Sequence, residues 1–324
     1  MRFPAILAAL AVALGGPAPV SAQTPDGVRA ILELGQEFFY TGDPLLVRVT
    51  VLNEGDKTVA NPVKSPVLGS FRVADAEGKA LAPQGRATVE EPVRPERLSA
   101  RGFYGAVVDL TEMYPQIREG GRYQIAWAAD GLSTQAVLVT VIPKYDPARE
   151  YRAIVETDEG PITIDFLGKQ APIGVKVFID LANSGYYDGL LVHEIRAGDF
   201  VVAGDPVASG VERAAFSFPA EQSSAPVVAG TVFLRPISPS PPANSSPFVI
   251  ALRPIPEVTG QVTVIGQVVT GLEVVQTISR RPSNLTASRP YFKPLGDIRI
   301  RKIRIEEKSA PSASSGVNGG PAAE

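Results

Sequence analysis

The first half of the chain alternates apolar and polar residues with a period of two, which is the pattern of strands with one buried face. Residues 45–52 show this alternation before the turn residues 53–56, and Tyr123, Ile125 and Trp127 share one face further along the chain. Because turns containing Gly, Asp and Asn separate short strands and no long amphipathic helix interrupts them, the pattern predicts a β-sandwich over residues 24–143. Its length fits an immunoglobulin-like domain.

The second half begins with a strand pattern followed by a helical one. The apolar runs 153–157 and 162–166 flank Asp158-Glu159-Gly160 and predict a β-hairpin. A helix is predicted over residues 173–184, because Pro172 suits the first helical position and Gly185 suits the residue that ends a helix.

The remaining elements of this half complete a mostly β domain. A second short helix is predicted over residues 272–278, after a strand at 261–269, and the final strand is predicted at 298–305. Antiparallel strands with two helices predict a closed β-barrel capped by both helices over residues 151–307. The short, charged segment 144–150 is the predicted linker between the two domains.

The two ends of the chain have the composition of segments outside a folded domain. Arg2, the apolar run 3–14 and the small residues Val20-Ser21-Ala22 predict a signal peptide over residues 1–22, and therefore a periplasmic or secreted protein. The apolar run is too short to span a bilayer, so an uncleaved anchor is the weaker alternative. The tail 308–324, rich in Ser, Ala, Gly and Pro, is predicted to be disordered.

Charge and composition narrow the classes of partner. The net charge of −3, with acidic and basic residues interspersed, gives no electrostatic signature of binding to nucleic acid, so a polypeptide or protein partner is predicted. With one histidine and no cysteine, the chain lacks the usual ligands of zinc or iron, and we expect neither a metal nor another cofactor. No second long apolar run occurs, so the mature chain is expected to have no membrane span.

Four segments of the second half resemble the cyclophilin-type peptidyl-prolyl isomerases. Residues 185–205 keep the frame of the family sequence GFYDG followed by FHRVIPGFMIQGGD. Residues 171–178 resemble APxTVxNF, residues 244–250 resemble NGSQFFI, and residues 264–275 resemble VFGRVVEGMDVV. The resemblance covers about residues 151–307. It implies an eight-stranded barrel with two capping helices, whose groove catalyses rotation about the peptide bond that precedes proline.

The same resemblance implies that the site of this chain is degenerate. The family arginine, which donates a hydrogen bond to the prolyl nitrogen, is replaced by Glu194, so no catalytic residue is assigned. Arg196 and Arg235 are the candidates for a relocated arginine. Other family side chains that contact the substrate are replaced at Val202, Pro247, Asp199, Glu257 and Val262. The predicted peptide-groove residues are His193, Glu194, Phe200, Val202, Phe248, Val258 and Val262.

Several interpretations stay open at the level of sequence. His193 is interpreted mainly as a structural barrel residue. Glu194 is interpreted as a solvated carboxylate or an ion-pair partner, particularly of Arg196, which lies two positions along on the same face of the strand. The proline-rich segment 235–244 is interpreted as a stiff extended loop, or as one that presents proline to a groove.

Three functions are compatible with these residues: an active folding factor of the prolyl isomerase class, a polypeptide-binding pseudo-enzyme, and a passive component of the cell envelope. Because a fold persists when its site is lost, the residues favour the second, with weak or absent isomerase activity.

Overall fold

The computed structural model describes residues 27–36, 38–63, 71–86, 88–90, 93–207, 216–239, 241–286 and 289–308. The chain divides into two compact units, residues 1–144 and 145–324. The predicted signal peptide and the predicted disordered tail beyond Lys308 lie outside the described residues. Among the described residues, no helix has the length and apolar character needed to cross a membrane.

The first unit is built from short strands. They are β1 (Val28–Leu34), β2 (Phe38–Tyr40), β3 (Leu46–Asn53), β4 (Val59–Ala60), β5 (Phe71–Asp75), β6 (Thr88–Glu90), β7 (Arg97–Leu98), β8 (Phe103–Asp109), β9 (Gly121–Ala129), β10 (Leu132–Ser133) and β11 (Val137–Ile142). A short 3-10 helix, Pro115–Glu119, lies between β8 and β9. The unit is therefore mostly β.

Two sheets of the first unit contribute to one apolar core. One sheet has the strand order β1-β3-β8-β6, and the other has the order β10-β9-β11-β2, with β5 also paired to β9. Tyr123, Ile125 and Trp127 of β9 are all buried on the face predicted from their spacing, and they join the same core as Val49 of β3 and Val108 of β8. The immunoglobulin-like type of this domain stays a prediction.

The second unit contains more strands and two α-helices. Its strands are β12 (Tyr151–Thr157), β13 (Gly160–Phe166), β14 (Val192–Arg196), β15 (Phe200–Ala203), β16 (Phe218–Pro219), β17 (Thr231–Pro239), β18 (Pro242–Ala251), β19 (Thr263–Thr270), β20 (Ser283–Thr286), β21 (Arg289–Pro294) and β22 (Ile300–Glu307). Its helices are α1 (Pro172–Ser184) and α2 (Leu272–Ser279), and a 3-10 turn spans Pro256–Val258.

The large sheet of this unit is curled and antiparallel. Its strand order is β14-β15-β18-β17-β19-β13-β12-β22, and β16 also pairs with β18. The first and last strands approach each other at one corner, where Leu191 and Arg299 form an antiparallel bridge and the Ile300 amide donates to the Leu190 carbonyl over 2.8 Å. The prediction of an antiparallel sheet with two helices is confirmed, and the sheet is a curled half-barrel. The closed barrel capped by both helices stays a prediction.

Helix α1 begins and ends where proline and glycine predict. Pro172 is the first helical residue, and Gly185 follows the helix in the left-handed region with φ 76°. Ala171 at the N-cap supplies no side-chain acceptor, but the Glu221 carboxylate accepts hydrogen bonds from the amides of Ile173 (3.0 Å) and Gly174 (2.7 Å). A carboxylate distant in sequence therefore satisfies the donors that the helix start leaves open.

The described residues of the proline-rich segment 235–244 lie mostly in two paired strands rather than in the extended loop that the sequence predicted. Most of it belongs to β17 and β18, which pair with each other up to Pro239 and Pro242. The register shifts on both sides of Pro236. Because proline has no amide hydrogen, strand positions at irregularities and ends are the ones where it costs least.

Candidate functional site

A row of side chains crosses five neighbouring strands on one face of the curled sheet. Glu194 of β14 lies opposite Val202 of β15, and Val202 lies opposite Val249 of β18. Val249 lies opposite Phe233 of β17, which pairs in turn with Val264 of β19. Because successive side chains of a strand point to opposite faces, this row shares a face that the main core does not use. The row ends in a charged residue.

The apolar part of this row belongs to a separate group that we call the valine-rich cluster. Its buried members are Val202, Val227, Phe233, Val249, Ala251, Val262 and Val264, and the partly buried residues packed against it are Leu167, Phe200, Ile255 and Val258. Four of the predicted groove residues, Phe200, Val202, Val258 and Val262, therefore come together here. The other buried apolar residues described in this unit form the main core.

Glu194 and Arg235 form an ion pair at the edge of this face. Nη1 of Arg235 donates to Oε2 of Glu194 over 2.5 Å. Only 9% of the Glu194 side chain and 26% of the Arg235 side chain are exposed. A carboxylate taken out of water requires a charged or hydrogen-bonding partner, and the guanidinium from β17 supplies one. The interpretation of Glu194 as an ion-paired carboxylate agrees with this contact, but the partner is Arg235 and the pair is largely buried.

Arg196, the other candidate for a relocated arginine, is held elsewhere. Its Nε lies 3.0 Å from Oδ2 of Asp199, and its guanidinium lies 5.8 Å from the centre of the Phe292 ring. Arg253 also binds Asp199, with Nε 2.6 Å from Oδ1, and this hydrogen bond lowers the pKa of the Asp199 carboxyl. About half of the Arg196 side chain is exposed, and its ion pair is with Asp199. Arg196 is therefore a poorer candidate than Arg235.

His193 is buried beside the ion pair. Burial is the main cause of a lowered pKa, because desolvation disfavours the imidazolium, while the Asp205 and Glu194 carboxylates partly oppose this effect. Its Nδ1 atom is buried without a hydrogen-bond partner among the described residues. The ring is therefore held mainly in its neutral form, which agrees with the interpretation of His193 as a structural residue.

Phe248 does not fit the groove role that the sequence predicted for it. Its side chain lies on the other face of β18, in the main core, where its ring centre is 5.3 Å from that of Phe178. Val249, the next residue, occupies the groove face instead. Sequence reasoning also missed Phe233 as a residue of the groove face. Its neighbours on β17, Val232 and Leu234, both lie in the main core, so the alternation of side chains along the strand places Phe233 on the opposite face.

Comparisons with known proteins identify the family of this half of the chain. Residues 152–305 match the family described as cyclophilin type peptidyl-prolyl cis-trans isomerase/CLD. The peptidyl-prolyl cis-trans isomerase CYP18-2 of Arabidopsis thaliana is 28% identical over 154 residues, which are 47% of this chain and 91% of that protein. The peptidyl-prolyl cis-trans isomerase-like 1 of Aspergillus oryzae is 28% identical over 158 residues, or 47% of this chain and 94% of that protein.

Two further similarities are weaker evidence, one because it covers a small part of the relative and the other because its sequence identity and TM-score are low. The peptidyl-prolyl isomerase CWC27 of Cryptococcus neoformans is 30% identical over 168 residues, but the match spans 50% of this chain and only 33% of that longer protein. A solved structure, the cyclophilin type peptidyl-prolyl cis-trans isomerase of Cryptosporidium parvum, is 23% identical with a TM-score of 0.45, covering 49% of this chain and 99% of that chain. All of these matches involve about half of the chain. Residues 152–305 are therefore a cyclophilin-type peptidyl-prolyl cis-trans isomerase domain by homology.

Proposed function

We propose that the cyclophilin-type domain binds proline-containing segments of polypeptides and catalyses their isomerisation only weakly, with Arg235 as the hydrogen-bond donor. One observation carries this proposal: the Arg235 guanidinium lies 2.5 Å from the carboxylate of Glu194, the residue at the backbone position of the family arginine. A guanidinium from β17, which β15 and β18 separate from β14 in the sheet, therefore reaches the side chain at the position where the family has its arginine.

The physical demands of the reaction explain why a displaced guanidinium has a small effect. The barrier of about 18–20 kcal/mol comes from amide resonance, so a catalyst has to bind the twisted amide more tightly than the planar one. The Glu194 carboxylate neutralises the Arg235 charge and competes with a substrate for its N–H donors. Loss of one preorganised donor typically costs a factor of about 10² to 10³ in rate.

Other positions that contact substrate in the family also lack polar groups here. Val202 and Pro247 occupy the two glutamine positions, and both are buried in the sheet. Neither side chain can donate a hydrogen bond to a peptide carbonyl. Binding on this face therefore relies on apolar contact, which stabilises the planar and twisted forms of a prolyl bond to a similar extent and favours binding over catalysis.

The proposal is tested by the cis-to-trans rate of the tetrapeptide Ala-Ala-Pro-Phe with a C-terminal nitroanilide, at several protein concentrations and beside a reference cyclophilin. We expect a small acceleration, about 10²-fold or more below the reference. It should vanish in Arg235→Ala and persist in Arg196→Ala, the matched arginine control. In Glu194→Gln, which removes the competing carboxylate, the acceleration should rise several-fold.

Different outcomes separate the proposal from its rival. A rate equal to the reference that is lost in Arg235→Ala would establish the second candidate, an efficient isomerase with a relocated arginine. An acceleration that persists unchanged in Arg235→Ala would remove this residue from the mechanism. No acceleration together with no binding of the tetrapeptide would refute both.

We further propose that the protein is exported and acts on polypeptides in the periplasm or outside the cell. The charged start, apolar run and small-residue site within residues 1–22 support this proposal. N-terminal sequencing of the mature protein from a fractionated host tests it, with cleavage expected after Ala22. Recovery of the full-length chain in the cytoplasmic fraction would contradict export.

A further inference from the structure

Phe233 lies in the middle of the face on which the proposed substrate would bind. It pairs with Val249 on one side and with Val264 on the other, so its ring stands at the centre of the row that begins at Glu194. The other buried members of the valine-rich cluster are valines and an alanine. Phe233 is therefore the largest side chain among the described, buried members of this cluster.

The ring is covered by its neighbours. Only 6% of Phe233 is exposed, and Val202 and Val264 are 1% and 2% exposed. A ring that serves as a stacking surface for a ligand must present an open face, whereas the Phe233 ring is almost entirely covered by its own protein. The apolar surface left to solvent belongs to the partly buried rim residues Phe200, Ile255 and Val258.

We propose that Phe233 fills the position that the proline ring of a bound segment would take, and that it thereby limits how tightly the face binds proline. This inference rests on the proposed binding of proline-containing segments. Phe233 acts as a specificity-determining residue, because with its ring in place a peptide contacts only the partly buried rim residues.

Removing the ring should create a site that discriminates proline. Apolar cavities of about 150 Å³ that result from shortening a buried side chain stay dry and bind six-membered rings, so a space left by a phenyl group admits a pyrrolidine ring. Because that ring buries three methylenes, we expect Phe233→Ala to bind Ala-Ala-Pro-Phe about tenfold to a hundredfold more tightly than the wild type. The affinity for Ala-Ala-Ala-Phe should change much less.

The full-length protein is titrated with both peptides by isothermal calorimetry. Phe233→Val opens less space and keeps a β-branched residue suited to strands, so its affinity for the proline peptide should lie between those of the wild type and Phe233→Ala. If Phe233→Ala does not fold, Phe233→Val tests the inference in its place. Phe218→Ala removes a ring of similar burial from the main core and serves as the matched control. Its affinity for the proline peptide should equal that of the wild type.

The outcomes distinguish this inference from the proposed function. If the wild type binds the proline peptide and neither Phe233 variant binds it more tightly, Phe233 does not limit the face and the inference is wrong, while the proposed function stands. Weaker binding in both variants would show that the ring is itself a contact surface, which also overturns the inference. If neither the wild type nor any variant binds either peptide, both the inference and the proposed function are wrong.

Discussion

The two faces of strands β15, β17 and β18 differ in character, although alternate residues of the same strands form them. On the inner face, the ring of Phe248 packs 5.3 Å from that of Phe178 and 5.8 Å from that of Tyr187. On the other face, valines surround a single buried phenylalanine and end at the ion pair of Glu194 with Arg235. The inner face holds helix and sheet together, and the outer face carries the groups that we propose to contact a ligand. Residues next to each other in sequence can therefore serve the fold and the site separately.

The largest expected contrast between the faces is in stability. Phe178→Ala should lower the free energy of unfolding by about 3–5 kcal/mol, because it empties the aromatic core between α1 and the sheet. Val249→Ala on the outer face should lower it by about 1.5 kcal/mol, because fewer methyl groups are lost and no ring stack is broken. Urea unfolding followed by circular dichroism measures both. Equal losses would show that the two faces do not differ in their contribution to the fold.

A smaller effect tests whether the ion pair stabilises the outer face. Arg235→Ala leaves the Glu194 carboxylate buried without this partner and should cost roughly 1–3 kcal/mol, below the 3–5 kcal/mol of a fully buried pair because Arg235 is partly exposed. Replacement of both residues by methionine should be neutral to within about 1 kcal/mol. The wild type, Arg235→Met, Glu194→Met and the double methionine variant form a double-mutant cycle in urea unfolding, with Arg235→Ala measured beside them. Strictly additive costs would mean that the contact contributes no coupling energy.

The smallest expected effect concerns pH and His193. Because the pKa of His193 is lowered in the folded state, the unfolded chain binds the proton more readily. The stability that the neutral ring contributes is therefore complete above the unfolded pKa of about 6.5 and is lost as the pH falls through the folded value, by at most about 1.4 kcal/mol per pH unit. Unfolding between pH 8 and 5 should show this slope, and His193→Gln, which removes the only histidine, should lack it. An unchanged slope in that variant would assign the pH dependence to carboxylates.

Local signals in the sequence were sufficient for most of the secondary structure. The hairpin of β12 and β13, both α-helices and the glycine after α1 follow from periodicity and from proline and glycine positions. The proline-rich hairpin was missed, because the absence of an amide hydrogen argues against a strand unless the register shifts are known. Phe248 was assigned to the wrong face for a related reason. A one-residue difference in register exchanges the two faces of a strand, and only the pairing fixes the register.

The sequence by itself determined the mostly β character of the chain and its cyclophilin-type half, because both depend on residue types and spacing along the chain. Only the tertiary structure decided that Arg235 rather than Arg196 meets Glu194, and that Phe233 lies at the centre of the valine-rich cluster. Arg235 and Glu194 are 41 positions apart in sequence and lie on β17 and β14, which β15 and β18 separate in the sheet. Strand pairing and the direction of each side chain bring them together, and neither is a property of a local segment.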